Sequence, residues 1–134
     1  MRKLGSMDLI TVDFETYYDR EFSLSKMTTE EYVRDPRFEV IGVGVKVNNN
    51  TTEWASGSRQ QIRDFLHTFD WDGAMFLAHN TVFDGAIANW LFDITPRVYT
   101  DTLCIARAVD GVEVSGSLRA LAERYSLGAK GTEV

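Results

Sequence analysis

The stretch LITVDFET, residues 9–16, constrains the fold of this chain more than any other because it joins an apolar strand to two acidic side chains. The apolar residues of its first half predict a strand that is buried. Side chains alternate along a strand, so we expect Asp13 and Glu15 on the same side of it. Two neighbouring carboxylates repel each other, and burying either one is costly. The strand therefore requires electrostatic compensation near its C-terminal end.

Composition and charge limit the class of protein. The chain has 134 residues, of which 44% are hydrophobic and 25% are charged, as is usual for one globular domain. No apolar run approaches the roughly 20 residues that span a bilayer, so we expect no membrane partner. The net charge of −6 argues against a protein that coats duplex nucleic acid with a basic face. It does not exclude an enzyme that holds a nucleic-acid end through metal ions, because bound cations supply local positive charge.

Two further features bear on the domain boundary and the cellular setting. Residues 1–6, MRKLGS, resemble an expression leader, and we assign one domain to residues 7–134. Cys104 is the only cysteine, which excludes an internal disulfide and a cysteine-based zinc site. This composition favours a reducing, cytoplasmic setting.

The pattern of apolar residues, caps and turns predicts five strands and five helices. We expect strands at residues 8–14, 38–47, 51–56, 74–79 and 97–100. We expect helices at residues 28–34, 58–69, 80–92, 101–109 and 116–128. Three early strands, followed by alternating helices and strands, indicate an α/β fold with a mixed sheet and a central first strand.

A third acidic residue belongs to the stretch NTVFD, residues 80–84. Asn80 is a good N-cap residue, so we expect the helix to begin there and to carry Asp84 in its second turn. The helix follows an apolar strand, and crevices open at strand ends in sheets of this type. We therefore expect the carboxylates of Asp13, Glu15 and Asp84 to converge on one small volume.

Three converging carboxylates are a typical site for hard divalent cations. Mg²⁺ and Mn²⁺ prefer oxygen ligands, and two such ions about 3.5–4 Å apart can activate a water and stabilise the leaving oxygen of a phosphodiester. Each residue also has an ordinary structural interpretation. Asp13 and Glu15 can form a solvated strand end, and Asp84 can be an exposed helix acid. Asn80 and Asp101 can serve as helix caps alone.

Taken together, these stretches resemble the DEDD superfamily of 3′–5′ exonucleases, the DnaQ-like domains with a ribonuclease H-like fold. VDFET, residues 12–16, resembles the first exonuclease motif, D-x-E after a strand. HNTVFD, residues 79–84, resembles the second motif, N-x-x-F-D at the start of a helix. YVRDPRFEVIGVGV, residues 32–45, resembles the segment between these motifs in proofreading domains of phage-type family A DNA polymerases. The resemblance covers nearly the whole chain after residue 7.

The resemblance implies a fold and a set of metal ligands. The fold is a ribonuclease H-like mixed sheet, with antiparallel first three strands and then parallel strands, flanked by helices. Asp13 would bridge two ions, Mg²⁺ or Mn²⁺. Glu15 would bind the ion that activates the attacking water, and Asp84 would bind the ion that faces the leaving 3′ oxygen.

The resemblance also implies substrate contacts and a reaction. Phe14, Thr16, Asn80 and Phe83 would bind or support the terminal nucleotide, with Asp101 in a supporting position behind them. The implied reaction is hydrolysis of the last phosphodiester at the 3′ end of single-stranded DNA, with release of nucleoside monophosphates. The implied setting is the cytoplasm of a bacterial or phage-infected cell.

The sequence departs from the family pattern at its C-terminal end. The third motif, Y-x-x-x-D or H-x-x-x-x-D, is expected downstream of SLGAKG, residues 126–131, and this sequence reaches Val134 without it. We therefore expect a C-terminally truncated domain with weak or no activity alone, partnered by a polymerase domain or by a second chain that carries the third motif. Two alternatives stay open. They are a non-catalytic ribonuclease H-like binding module and an RNA-trimming exonuclease, which the 2′-OH distinguishes.

Overall fold

The computed structural model describes residues 6–128, which form one mixed sheet flanked by helices. In chain order the strands are β1 (Asp8–Thr16), β2 (Val40–Val47), β3 (Glu53–Ser56), β4 (Ala74–Ala78) and β5 (Val98–Asp101). The helices are α1 (Thr29–Arg34), α2 (Arg59–Leu66), α3 (Thr81–Phe92), α4 (Thr102–Asp110) and α5 (Leu118–Arg124). None of these helices is long and apolar enough to cross a bilayer. The expected leader, apart from Ser6, and the end of the stretch SLGAKG lie outside the described residues.

Strand β1 occupies the centre of the sheet, whose strand order is β3-β2-β1-β4-β5. β1 pairs antiparallel with β2, and β2 pairs antiparallel with β3. β1 pairs parallel with β4, and β4 pairs parallel with β5. The predicted mixed sheet is therefore confirmed. Because β1 and β4 run in the same direction, their C-terminal ends meet at one edge of the sheet, and both acidic stretches lie there.

One face of the sheet carries the hydrophobic core. Alternation along β1 places Ile10, Val12 and Phe14 on this face, and all three are buried. Helix α2 packs over β2 and β3, and helix α3 packs over β4, β5 and β1. The ring of Phe92, the last residue of α3, stacks on the ring of Phe14 with centroids 5.9 Å apart. This aromatic contact fixes α3 against the central strand.

Side-chain caps begin four of the five described helices. Thr28, Ser58, Asp101 and Ser117 each accept a hydrogen bond from a backbone N–H of the following turn. Ser58 and Gln61 form a complete capping box at the start of α2. These caps satisfy N–H groups that have no partner within the helix, and they explain why the predicted starts lie close to the observed ones.

Helix α5 ends earlier than predicted. It stops at Arg124 rather than at Gly128. Ser126 takes the left-handed conformation, with φ of 54°, and the N–H of Leu127 donates to the carbonyl of Ala122. This closure is of the Schellman type, and it is complete before the glycine is reached.

Removing the ring of Phe92 tests this account of the core. Phe92 is 0% exposed, so Phe92→Ala leaves a cavity between α3 and β1 and should lower the free energy of unfolding by about 3–5 kcal/mol. Urea titration followed by circular dichroism measures this change. Val82→Ala is the matched control, because Val82 is 69% exposed on the same helix and should change stability by about 0.5 kcal/mol or less. Equal effects at the two positions would contradict the proposed packing.

Candidate active site

The acidic side chains of β1 lie on the face of the sheet opposite the core. The alternation that buries Phe14 directs Asp13 and Glu15 to this other face. They line an open groove of about 740 Å³ that is formed mainly by residues of β1 and β2, with Trp54 of β3. Asp13 is exposed and Glu15 is partly exposed. Both carboxylates therefore border a space that a ligand can enter.

Asp84 lies against the C-terminal end of β1. The residue is only 4% exposed, and its Oδ1 accepts a hydrogen bond of 2.9 Å from the backbone N–H of Phe14. Phe14 is the residue between Asp13 and Glu15, so this one bond places the carboxylate of α3 beside both acids of β1. The structure thus brings together two stretches that are 70 residues apart in the sequence.

The surroundings of Asp84 change its acidity. They raise the pKa of its carboxyl group from the ordinary value of 3.8 to about 7. Burial is the main cause, and the neighbouring charges of Asp13 and Glu15 raise the pKa further. The backbone N–H groups of Phe14 and of Asp84 itself act in the opposite direction, because they stabilise the carboxylate. The three acids are thus close enough to interact electrostatically.

Asp101 fixes the start of α3 as well as that of α4. Its carboxylate accepts hydrogen bonds of 2.9 Å from the N–H groups of Asn80, Thr81 and Leu103. The prediction that α3 begins at Asn80 is confirmed, but a different side chain supplies the cap. Asn80 occupies the N-cap position in the left-handed conformation, with φ of 69°, and its side chain makes no capping hydrogen bond. The acceptor that the helix start requires comes instead from the end of β5.

The donors around Asp101 also stabilise its negative charge. Burial acts against the ionised form, but the N–H groups of Thr81, Asn80 and Leu103, together with the Cys104 thiol, outweigh it. They hold the pKa of the Asp101 carboxyl group below its usual range. A negative charge at the N-terminal ends of α3 and α4 is favourable for both helices. Asp101 therefore orients the helix that carries the third acid.

The other predicted substrate-binding residues occupy different environments. The ring of Phe14 is buried in the core, so this residue reaches the site through its backbone N–H. Thr16 lines the groove, and its hydroxyl lies 3.1 Å from the hydroxyl of Tyr32. Phe83 is partly buried against the core, with its ring centroid 6.0 Å from that of Tyr32. Contact of the Phe14 or Phe83 ring with a nucleotide stays a prediction, which the buried position of Phe14 does not favour.

Sequence reasoning missed most of the other residues that line the groove, among them Gly44, Lys46 and Trp54. Asp13 pairs with Gly44, and Gly44 pairs with Trp54, so these positions form one row across three strands. Lys46 follows two residues after Gly44 on the same strand and also lines the groove. Alternation predicts that Gly44 and Lys46 share a face of their own strand. It does not predict the strand register, which places them beside Asp13.

The donor atoms suit a hard divalent cation, although they are not arranged as a complete metal site. Carboxylate oxygens are the ligands that Mg²⁺ and Mn²⁺ prefer, and a cation would relieve the repulsion between Asp84 and the acids of β1. Within residues 6–128, no three His, Cys, Asp or Glu side chains are grouped so that they could hold a metal ion. Binding of one ion by Asp13, Glu15 and Asp84 together therefore requires their carboxylates to move closer to one another.

The sheet order, the central β1 and the flanking helices define a ribonuclease H-like fold, the arrangement of DnaQ-like nucleases. The structure is similar to that of Brucella melitensis NrnC, with a TM-score of 0.69 and 13% sequence identity over 96% of this chain and 57% of that chain. NrnC has also been solved with bound Mg²⁺ and bound to pGG. This chain thus spans just over half the length of NrnC.

Two other solved structures share the fold. The family B DNA polymerase of Pyrobaculum calidifontis matches with a TM-score of 0.57 and 18% identity, over 92% of this chain and 19% of that chain. The RNase domain of the yeast Pop2 protein matches with a TM-score of 0.56 and 11% identity, over 90% of this chain and 68% of that chain. No family model and no curated protein matches the sequence. The likeness is therefore one of fold.

The raised pKa of Asp84 predicts a specific pH dependence of stability in metal-free buffer. Below about pH 4 the carboxyl group is protonated in both the folded and the unfolded chain. As the pH rises from about 4 through about 7, the unfolded chain releases this proton while the folded chain retains it, so stability falls. Asp84→Asn removes the titration. The unfolding free energy of Asp84→Asn minus that of the wild type should be about 2–4 kcal/mol larger at pH 8 than at pH 4.

Urea titrations at several pH values, with a chelator present, measure this difference. Asp72→Asn is the matched control, because Asp72 is an exposed acid in the turn before β4. The control should follow the wild type at every pH. If the curve of Asp84→Asn also runs parallel to that of the wild type, Asp84 does not titrate as described.

Proposed function

We propose that this chain is a metal-dependent 3′–5′ exonuclease domain of the proofreading type, which hydrolyses the 3′-terminal phosphodiester of single-stranded DNA. The observation that carries the proposal is the hydrogen bond from the N–H of Phe14 to Asp84. It holds a third carboxylate against the strand whose acids, Asp13 and Glu15, line an open groove. The ribonuclease H-like fold, shared with solved nuclease structures, supports the same reaction class.

Asp13, Glu15 and Asp84 are the residues that we propose as ligands of Mg²⁺ or Mn²⁺. The bound Mg²⁺ in NrnC supports this choice of ion. When bound, such ions activate a water molecule and stabilise the leaving oxygen of a phosphodiester. The chain contributes ligands in two settings: Asp84 is fixed against the backbone of β1, whereas Asp13 and Glu15 line the open groove.

The groove supports a single strand as the substrate. Among residues 6–128 it is lined by one lysine, Lys46, and the chain carries a net charge of −6, which disfavours binding of duplex nucleic acid across a broad basic face. NrnC bound to pGG supports a short nucleic-acid end in a site of this fold. We propose Thr16, Asn80 and Phe83 as further contacts of the terminal nucleotide, with Asp101 holding the helix that carries Asn80 and Phe83.

A polymerase partner extends this proposal. The likeness to part of a family B DNA polymerase supports a link with replication, and residues 32–45 resemble the proofreading domains of phage-type family A polymerases. We propose a polymerase domain or a second chain as the partner of this domain.

The second candidate is an RNA-trimming exonuclease. The observation that favours it is the likeness to the RNase domain of yeast Pop2. The match covers 68% of the Pop2 chain. Proteins distinguish RNA from DNA by contacts to the 2′-OH. Comparison of matched RNA and DNA strands therefore separates the two candidates.

The central experiment follows the shortening of a 5′-labelled single strand in the presence of Mg²⁺ or Mn²⁺. We expect slow, stepwise loss of nucleotides from the 3′ end, and we expect a chelator to stop it. Asp13→Asn removes a proposed metal ligand. It should lower the rate at least about 10- to 100-fold, because losing even a group that supports a metal ligand lowers metal affinity or activity by about this factor.

Asp72→Asn provides the matched control and should leave the rate unchanged, because Asp72 lies outside the groove. Faster cleavage of the matched RNA strand would indicate that RNA, rather than DNA, is the substrate. If neither strand is shortened, or if Asp13→Asn cuts as fast as the wild type, the catalytic proposal fails. Metal-independent binding that both variants retain would then identify a non-catalytic binding module.

A further inference from the structure

Trp54 differs in its surroundings from the other two tryptophans. It is 55% exposed and lines the groove on the same face as the two acids of β1. Trp71 is buried, at 7% exposure, and Trp90 carries the guanidinium of Arg34 over its ring at 4.5 Å. Among residues 6–128, no aromatic ring or guanidinium group stacks on Trp54. Its ring is therefore available to a ligand in the groove.

Two glycines of β2 support the ring of Trp54. A Cβ atom at Gly42 would lie 2.3 Å from Cζ2 and 2.6 Å from Cη2 of Trp54. A Cβ atom at Gly44 would lie 4.0 Å from Cε3 of the same ring. The indole thus extends from Gly44 to Gly42 and rests on the backbone of Gly42, where any side chain would displace it. The close approach requires glycine at position 42.

This support places the ring beside the acids of β1. Gly44 pairs with Asp13, and Gly42 pairs with Glu15. Residues paired in this way have Cβ positions about 4.5–5.5 Å apart. No side chain stands between Trp54 and the two acids, because both intervening residues are glycines. The ring and the carboxylates therefore border the same part of the groove.

Lys46 adds a positive charge to this part of the molecule. It pairs with Thr11, two residues before Asp13, and its side chain lines the groove. Among the described residues of the groove lining, Lys46 is the only cation. The groove therefore combines a cation that can meet a phosphate, an aromatic ring that can meet a base, and the carboxylates of Asp13 and Glu15 at which we place the scissile bond.

We propose that Trp54 is the stacking platform for a nucleobase near the 3′ end of the bound strand, and that Lys46 contacts a phosphate of that strand. This inference rests on the proposed function and names the substrate contacts of the same site. Stacking on an aromatic ring tolerates every base, because each base has a π face. Such a contact suits an enzyme that removes successive nucleotides of any sequence.

The first test measures binding of a labelled single-stranded hexanucleotide, with Ca²⁺ in place of Mg²⁺ and the length of the strand checked afterwards. Trp54→Ala should weaken binding about 5- to 100-fold, the range that loss of one base–aromatic stack produces. Trp54→Phe keeps an aromatic face and should retain most of the affinity. Trp90→Ala is the matched control at another partly exposed tryptophan, and it should change affinity less than about 2-fold.

The same hexanucleotide with its two 3′-terminal bases removed separates stacking from a structural role. The wild type should bind this abasic strand as weakly as Trp54→Ala binds the intact strand. Trp54→Ala should bind the abasic strand with the same affinity as the wild type does. Fluorescence of Trp90→Phe, in which Trp54 is the remaining exposed tryptophan, gives a second readout. The intact strand should quench this emission, and the abasic strand should not.

Three results would overturn the inference. Equal binding and cleavage by Trp54→Ala and the wild type would show that Trp54 does not contact the strand, and would leave the proposed function in place. Equal losses on intact and abasic strands would show that Trp54 supports the groove, or a protein segment that covers it, rather than a base. Absence of any strand binding by the wild type would contradict the proposed function itself.

Discussion

The hydrogen bond from the backbone N–H of Phe14 to the carboxylate of Asp84 is the interaction on which the candidate site depends. It joins the end of the central strand to the first turns of α3. The side chain of Phe14 reinforces the same junction from the core, since its ring stacks on Phe92. One residue thus uses its backbone to hold Asp84 and its ring to hold the helix, while its neighbours Asp13 and Glu15 point to the opposite face.

This arrangement places the carboxyl group of Asp84 where burial disfavours its ionised form. Burial and the neighbouring acids raise the pKa of Asp84 to about 7, so the folded chain without a cation carries an unfavourable interaction near neutral pH. A divalent cation would relieve it, and oxygen ligands of this kind suit Mg²⁺ and Mn²⁺. The cost to stability in the free protein and the proposed affinity for metal would therefore have one physical origin, as is common at functional sites.

Local patterns predicted much of this structure. Alternation in LITVDFET placed Asp13 and Glu15 on one face, and capping residues such as Ser58 and Ser117 marked helix starts. Features that depend on distant pairing were not predictable in this way. Asp101 caps a helix whose start lies 20 residues earlier, and this left Asn80 free to take a left-handed conformation. The register that aligns Asp13, Gly44 and Trp54 is likewise set by packing of the whole sheet.

We propose that the acids of β1 and α3 form one metal-binding site. Titration of the ¹⁵N-labelled protein with Mn²⁺ tests it directly, because the paramagnetic ion broadens the amide signals nearest to it. We expect the signals of Asp13, Phe14, Glu15 and Asp84 to broaden first, and we expect Asp13→Asn to suppress the effect. Broadening that begins elsewhere, with the Phe14 amide unaffected, would show that these acids do not share a metal site.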